Sequence, residues 1–269
     1  NNLAVDDVNQ APFERGDFPV NMGSAGSSAA ILDDREAFYF TSGDVRSYRA
    51  IVGGTRNAGR YPIIYRDETT GRVPDYRTYP LHSFDWNNTT PTPSGTGPPT
   101  YSMSHPSSMG FAAYLIEGRW TQLEVLSFAA WKHLASSNYV TRKPSGTSYD
   151  GVLACLSSPL TTRGAAWAWC RVAQSAAVLP TELAGSSPSA SDTALRASHV
   201  QSVADSAAWM RERFIDGTLD GGVHVNDIGW LGQYDGYGDL GGTGHWWGGS
   251  WMVAYQSLAL GYASDLGIE

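Results

Sequence analysis

The sequence predicts an all-α protein assembled from consecutive helical hairpins. Apolar residues recur at helical spacing in segments spread along the chain. An aromatic-rich helix end followed by Gly and a new helix occurs twice. Short and long connections alternate between the helices.

The duplicated segment is the most specific of these features. One copy reads Glu36-Ala-Phe-Tyr-Phe-Thr-Ser-Gly43-Asp44-Val-Arg-Ser-Tyr48, and the other Phe111-Ala-Ala-Tyr-Leu-Ile-Glu-Gly118-Arg-Trp-Thr-Gln-Leu123-Glu. The two glycines are 75 residues apart. Gly at a helix C-terminus takes the left-handed backbone that other residues resist, and a connection this short forces the next helix to run back along the first. Two such copies at a fixed offset indicate stacked hairpins.

The helices fall into two kinds. In Val200, Val203, Ala207, Met210 and Phe214 the apolar spacing is that of one helical face, with Arg196, Asp205, Arg211, Glu212 and Arg213 elsewhere; this is an amphipathic helix with one side in water. Leu123, Leu126, Ala130 and Leu134 repeat the pattern. Ala165-Ala-Trp-Ala-Trp-Cys170 and Trp251-Met-Val-Ala-Tyr255 are apolar nearly all round and predict helices buried on most sides. Inner helices are expected near 29–42, 105–117, 161–179 and 245–264, and outer helices near 44–58, 119–137 and 190–215. An inner ring within an outer ring is the layout of an (α/α) toroid. Three to four hairpins are visible, so the expectation is one incomplete toroid domain over 1–269, or a fragment completed by further domains of the same protein. The inner-to-outer turns are short, whereas 59–104, 138–160 and 216–244 are long and rich in Gly, Pro, Ser and Thr. Alternation places the long loops at one end, where function usually sits on a helical scaffold.

Composition narrows the function. Hydrophobic residues make up 42% of the chain, which is a globular content. No apolar run approaches the roughly 20 residues of a membrane-spanning helix, so no membrane partner is expected. A net charge of −8 argues against nucleic acid, which requires a basic footprint. A start at Asn1 without Met reads as a processed product, and the expected location is secreted or periplasmic. Cys155 and Cys170 are the only cysteines, and both a disulfide and a buried free thiol at Cys170 are open readings. Ten Trp supply flat apolar platforms of the kind that sugars stack on, or simply fill a large core.

The chemistry-bearing residues cluster at the expected starts of inner helices. Ser104-His105-Pro106, Thr161-Thr162-Arg163-Gly164 and Gly244-His245-Trp246-Trp247-Gly248 would each open one, which brings His105, Arg163 and His245 to the loop-rich end. A His there can move protons near neutral pH, and an Arg can grip a carboxylate at two points. Equally, a His before Pro can serve as a helix cap and an Arg at a helix start can pair with a loop Asp. Asp85-Trp86-Asn87-Asn88 offers polar groups and a ring to a sugar, and also reads as a turn. Tyr234-Asp235-Gly-Tyr237-Gly-Asp239 is a Gly-rich loop with two carboxylates. It lacks the full calcium-loop pattern, so neither a metal nor a cofactor is expected. There is no nucleophile elbow, phosphate loop, dinucleotide fingerprint or His-Glu-x-x-His.

Tyr114-Leu-Ile-Glu-Gly118 with Leu123-Glu124, and Phe38-Tyr-Phe-Thr-Ser-Gly43-Asp44 with Tyr48, resemble the Tyr-Leu-x-Thr-Gly-Asp-x-x-Tyr-Leu-Glu hairpin of (α/α)-toroid carbohydrate-active enzymes. Arg119 departs from the Asp of that pattern. The resemblance covers about a tenth of the chain and concerns scaffold, so it implies fold before reaction. It admits both polysaccharide lyases and glycoside hydrolases. Toroid lyases use Tyr or His as acid and base and offset a uronate carboxylate with Asn, Arg or His. The resemblance therefore implies a polysaccharide substrate; His105, Arg163, His245 and Tyr234 supply the residue types such catalysis uses, though none falls on a catalytic motif of the family, and Asp85, Trp86, Asn88, Asp235, Trp246 and Trp247 are the expected sugar contacts. A lyase cleaving a uronate-containing polysaccharide is the leading expectation. A hydrolase using carboxylates from among Asp85, Asp235 and Asp239 is the alternative enzyme, and a non-catalytic helical carbohydrate-binding or interaction module is the alternative of another class.

Overall fold

The computed structural model describes residues 31–56, 58, 63–79, 109–136, 162–181, 190–214, 233–234, 246–247 and 250–268. Among these the fold is all-helical, with seven helices: α1 (Asp34–Ser42), α2 (Val45–Arg56), α3 (Phe111–Glu117), α4 (Trp120–Ser136), α5 (Thr162–Val178), α6 (Ala190–Phe214) and α7 (Ser250–Asp265). A two-residue antiparallel ladder pairs β1 (Gln233–Tyr234) with β2 (Trp246–Trp247). The chain divides into two compact units, one of 1–73 with 86–129 and the other of 74–85 with 130–269.

The first unit holds both copies of the hairpin. Asp33 caps α1: its carboxylate accepts from the backbone N–H of Arg35 and Glu36 at 3.0 and 2.9 Å, and Glu36 reaches back to the N–H of Asp33 at 2.9 Å. This reciprocal box satisfies donors that a helix start otherwise leaves bare. Gly43 ends α1 at φ 68°, ψ 19°, its N–H donating to the Tyr39 carbonyl at 2.7 Å. Gly118 ends α3 at φ 66°, ψ 21°, its N–H donating to the Tyr114 carbonyl, also at 2.7 Å. The duplication read in the sequence is thus a duplication of geometry. α1 and α2 pack side by side, and α2 touches α3. Ile51, Ala112 and Ala113 form a small core covered by Tyr39 and Ile116. The loop after α2 is pinned to α4: Arg66 makes a two-point ion pair with Glu124 at 2.7 and 2.8 Å and lies 5.2 Å above the Phe128 ring.

The second unit is organised by α5, which packs against both α6 and α7. Every residue of α5 from Gly164 to Ala176 is buried, as its all-round apolar sequence predicts. Trp167 meets Tyr255 of α7 edge to face at 4.7 Å, and Trp131, Trp169, Val203, Trp209 and Met210 are buried in the same unit. Cys170 is a free buried thiol, so of the two readings for this residue the structure takes the core one.

Four expectations about the helices are corrected. The helix expected from 105 begins at Phe111, because Gly110 sits at φ 86°, a backbone that cannot continue into a right-handed helix. The helix expected from 245 begins at Ser250. Trp246 and Trp247 are extended instead, in keeping with aromatic strand preference and with the poor helix formers Gly248 and Gly249 that follow. The outer assignment of α4 fails, since Leu126–Ala135 is buried on all sides, Lys132 and His133 included. The inner assignment of α7 fails in the opposite direction. Tyr255, Gln256, Ala259 and Ala263 are buried, while Ala254, Ser257, Leu258 and Gly261 are exposed, Leu258 at 48%. Apolar residues, Leu258 among them, are common on protein surfaces, so composition alone did not mark that face.

Candidate functional site

The residues expected to carry chemistry are placed as follows. Arg163 is the second residue of α5, in its first turn, as the sequence indicated. Tyr234 lies directly opposite Trp246 in the ladder, and Gln233 opposite Trp247. A candidate acid/base and a candidate sugar platform, 12 residues apart in sequence, are therefore backbone neighbours. The start of α7 at Ser250 removes Trp246 and Trp247 from its N-terminus. Asp85, Trp86, Asn88, His105, Asp235 and His245 lie outside the described residues, as does Asp239.

Three polar constellations that the sequence reading passed over are built on the described helices. In the first unit Glu117 ends α3 with its side chain only 8% exposed. Its carboxylate accepts from the Tyr48 hydroxyl at 2.7 Å and from Gln122 Nε2 at 2.6 Å, and it pairs with Arg119 at 3.1 Å and Arg56 at 3.8 Å. Partial burial alone would raise its pKa. The hydrogen bonds from Tyr48 and Gln122 and the two guanidinium charges outweigh that and hold it below the usual range. The same bond to Glu117 raises the Tyr48 phenol, with desolvation adding to it. A carboxylate so held is ionised at neutral pH and committed to four partners. It acts as a tie between α2, α3 and α4, not as a proton donor. Tyr48→Phe is expected to lower the denaturant midpoint, because it removes a hydrogen bond to a charged acceptor. In a denaturant double-mutant cycle the cost should largely vanish in a Glu117→Leu background; simple additivity would contradict the tie.

The second constellation is the basic interior around α5. Arg171 is 1% exposed, and its Nη1 donates to Gln174 Oε1 at 2.5 Å. Among the described residues no carboxylate lies within ion-pair distance of it. His133 is fully buried, and its pKa lies well below the ordinary value. Desolvation is the main cause, with the charges of Arg171 and Lys132 adding to it. Burial likewise pushes the Cys170 thiol and the Tyr255 phenol up, the two meeting at 3.9 Å. His133, Cys170 and Tyr255 are therefore neutral at pH 7, and the whole group is buried out of reach of a polymeric substrate.

The third brings Asp75, Ser198, His199 and Ser175 together. Their types suit a nucleophilic relay, but their arrangement does not. Asp75 accepts from Ser198 at 2.6 Å, while His199 Nδ1 sits 3.1 Å from Ser175 Oγ, and both serines are fully buried. A relay requires one imidazole nitrogen on the carboxylate, the other on the nucleophile, and a nucleophile open to substrate.

No helix among the described residues is long and apolar enough to cross a membrane. What the described geometry defines is an all-α protein of Gly-capped helical hairpins, with Arg163 at one helix start and Tyr234 beside Trp246. Comparison with family models, curated proteins and solved structures finds no match.

Proposed function

We propose that the chain is a polysaccharide-degrading enzyme of (α/α)-toroid architecture, a lyase that cleaves a uronate-containing polymer by β-elimination in a secreted or periplasmic setting. The observation that carries this reading is the duplicated Gly-capped hairpin, in which Gly43 and Gly118 repeat the same left-handed cap on equivalent tyrosine carbonyls. It is the hairpin that the resemblance to toroid carbohydrate-active enzymes rests on. Arg163 in the first turn of α5 and Tyr234 opposite Trp246 add the residue types such a site employs.

In the proposed reaction the Arg163 guanidinium holds the uronate carboxylate at two points, which makes the adjacent C5 proton removable. His105 or His245 takes that proton, the electron pair forms the C4–C5 double bond, and the C4–O bond breaks. A protonated partner, Tyr234 or the second His, supplies a proton to the leaving oxygen. Asp85, Trp86, Asn88, Asp235, Trp246 and Trp247 hold the flanking sugars. Further domains of the same protein would complete the ring of hairpins.

A screen of uronate-containing and neutral polysaccharides tests this. The expected result is ultraviolet absorbance from an unsaturated uronate together with new reducing ends. Reducing ends alone would assign hydrolysis by two carboxylates, and silence on both would favour a binding module.

A further inference from the structure

The tie at Glu117 leaves positive charge to spare at the surface of the first unit. Arg56 ends α2, and Arg119 lies in the link between α3 and α4. Both meet the same carboxylate. Arg119 Nε stands 3.1 Å from one Glu117 oxygen, and Arg56 Nη2 stands 3.8 Å from the other. Tyr48 and Gln122 donate to those same two oxygens at 2.7 and 2.6 Å, so the carboxylate is saturated.

The two guanidinium groups are not. Each carries five N–H donors in a planar fork, and Glu117 engages one nitrogen of each. Among the described residues neither has a second carboxylate partner. The side chains of Arg56 and Arg119 are 48% and 57% exposed, against 8% for Glu117. Two positive charges therefore stand in water over one largely buried negative charge, in a chain whose net charge is −8. The acids near them in sequence do not cancel the excess, since Asp44 is closed into a pair with Arg46 and Glu124 with Arg66. The shared anchor also fixes both forks, which lowers the ordering cost of an exposed arginine on binding. Trp120, next in the chain after Arg119, is 50% exposed and offers a ring face of the kind a sugar stacks on.

We propose that Arg56 and Arg119, anchored on Glu117 and with Trp120 next in the chain, form a binding site for carboxylate groups of a uronate-containing polymer, with no residue in common with those assigned to cleavage.

The polymer class follows from the lyase reading, and the preference for an anion from the cluster itself. A carboxylate matches a guanidinium fork at two points, whereas a neutral sugar leaves both charges unmatched.

Affinity electrophoresis of the full chain through gels containing polygalacturonate, alginate or neutral mannan tests the site. All forms carry Arg163→Lys, so that binding is read on uncut polymer. Retardation by at least one uronate polymer and not by mannan is expected, fading as salt rises. Arg56→Gln with Arg119→Gln is expected to raise the apparent Kd about 10-fold, the scale of two exposed charge contacts. Arg77→Gln, which removes an equal charge from the second unit, is expected to leave it unchanged. Should the double variant not fold, Arg119→Gln alone decides, with a rise of about 3-fold expected. No retardation by either uronate polymer, equal retardation by mannan, or a Kd that the arginine variants do not raise would each overturn the proposal. Retardation lost in the arginine variants, with no unsaturated product from the wild type, would leave this site standing and remove the lyase reading. Unsaturated product with retardation unchanged in those variants would do the reverse.

Discussion

Gly110→Ala is expected to destabilise the first unit by about 3 kcal/mol or more, the combined scale of a strained backbone and an overpacked contact. Gly110 sits at φ 86°, and a Cβ there would fall 2.3 Å from the Gln122 carbonyl oxygen and 2.9 Å from the Leu126 backbone nitrogen. Both atoms belong to the main chain of α4, which cannot swing aside as a long side chain does. The close approach also explains why Met109 and Phe111 are buried on either side of it: without a side chain the chain enters α3 directly against α4. Gly118 provides the comparison. It has φ 66° and nothing within 4 Å of the added carbon, so Gly118→Ala should cost only the conformational term, about 1–2 kcal/mol. Denaturant midpoints of the two variants separate the effects, and equal costs would contradict the packing of Gly110 on α4.

How much of this was legible in the sequence follows from the range of each interaction. Helix existence was legible because it is a matter of local spacing: α1, α2, α4, α5 and α6 lie where periodicity and Gly punctuation place them. The hairpin turns were legible because a Gly-terminated helix carries its own signal, confirmed at Gly43 and Gly118. Helix starts were less so. The Gly110 backbone that prevents a continuous helix into Phe111 goes with its close approach to Gln122 and Leu126 of α4, which local spacing does not announce. Layer assignment failed for the same reason. Lys132 and His133 look like a solvent face of α4, yet both are fully buried. On α6 the expected face holds at Val203 and Met210, but Ala207 is exposed and Ser198, His199, Ser202 and Ser206 turn inward. Polarity decides burial only on average. A serine whose hydroxyl donates to its own helix, as Ser206 does to the Ser202 carbonyl at 2.6 Å, enters a core at little cost.

The candidate site was legible in a narrower sense. Arg163 lies in a first helical turn because Thr161-Thr162 precedes a strongly helical run, which is local information. The pairing of Tyr234 with Trp246 was not legible, because it joins two short extended segments across a Gly-rich stretch. The ties that organise each unit, Glu117 with Tyr48 and Asp75 with Ser198, join residues 69 and 123 positions apart, and no periodicity announces such contacts.

On the proposed lyase reading, the largest expected effects on activity are at Arg163 and at the His that moves the C5 proton. Arg163→Lys keeps the charge and loses the planar two-point grip on a carboxylate, so turnover on a uronate polymer should fall by roughly 10²-fold or more, the scale lost when a single oxyanion-holding donor is removed. Replacing whichever of His105 and His245 moves the C5 proton should cost roughly 10²–10⁴-fold, the usual contribution of a general base. Both effects should leave helix content unchanged, since Arg163 lies within the first turn of α5 and its replacement by another good helix former does not disturb propensity.

That a hairpin scaffold presents a uronate-cleaving site is tested most directly by one set of initial rates. These are unsaturated-product formation from a uronate polysaccharide by the wild type, Arg163→Lys, His105→Ala, His245→Ala, Asp235→Asn and Asp239→Asn. The expected result is measurable elimination by the wild type, strong loss in Arg163→Lys and in at least one His variant, and smaller effects from the two Asn substitutions. Full activity in Arg163→Lys and both His variants, with cleavage abolished by Asp235→Asn or Asp239→Asn, would contradict elimination and assign the reaction to a pair of carboxylates.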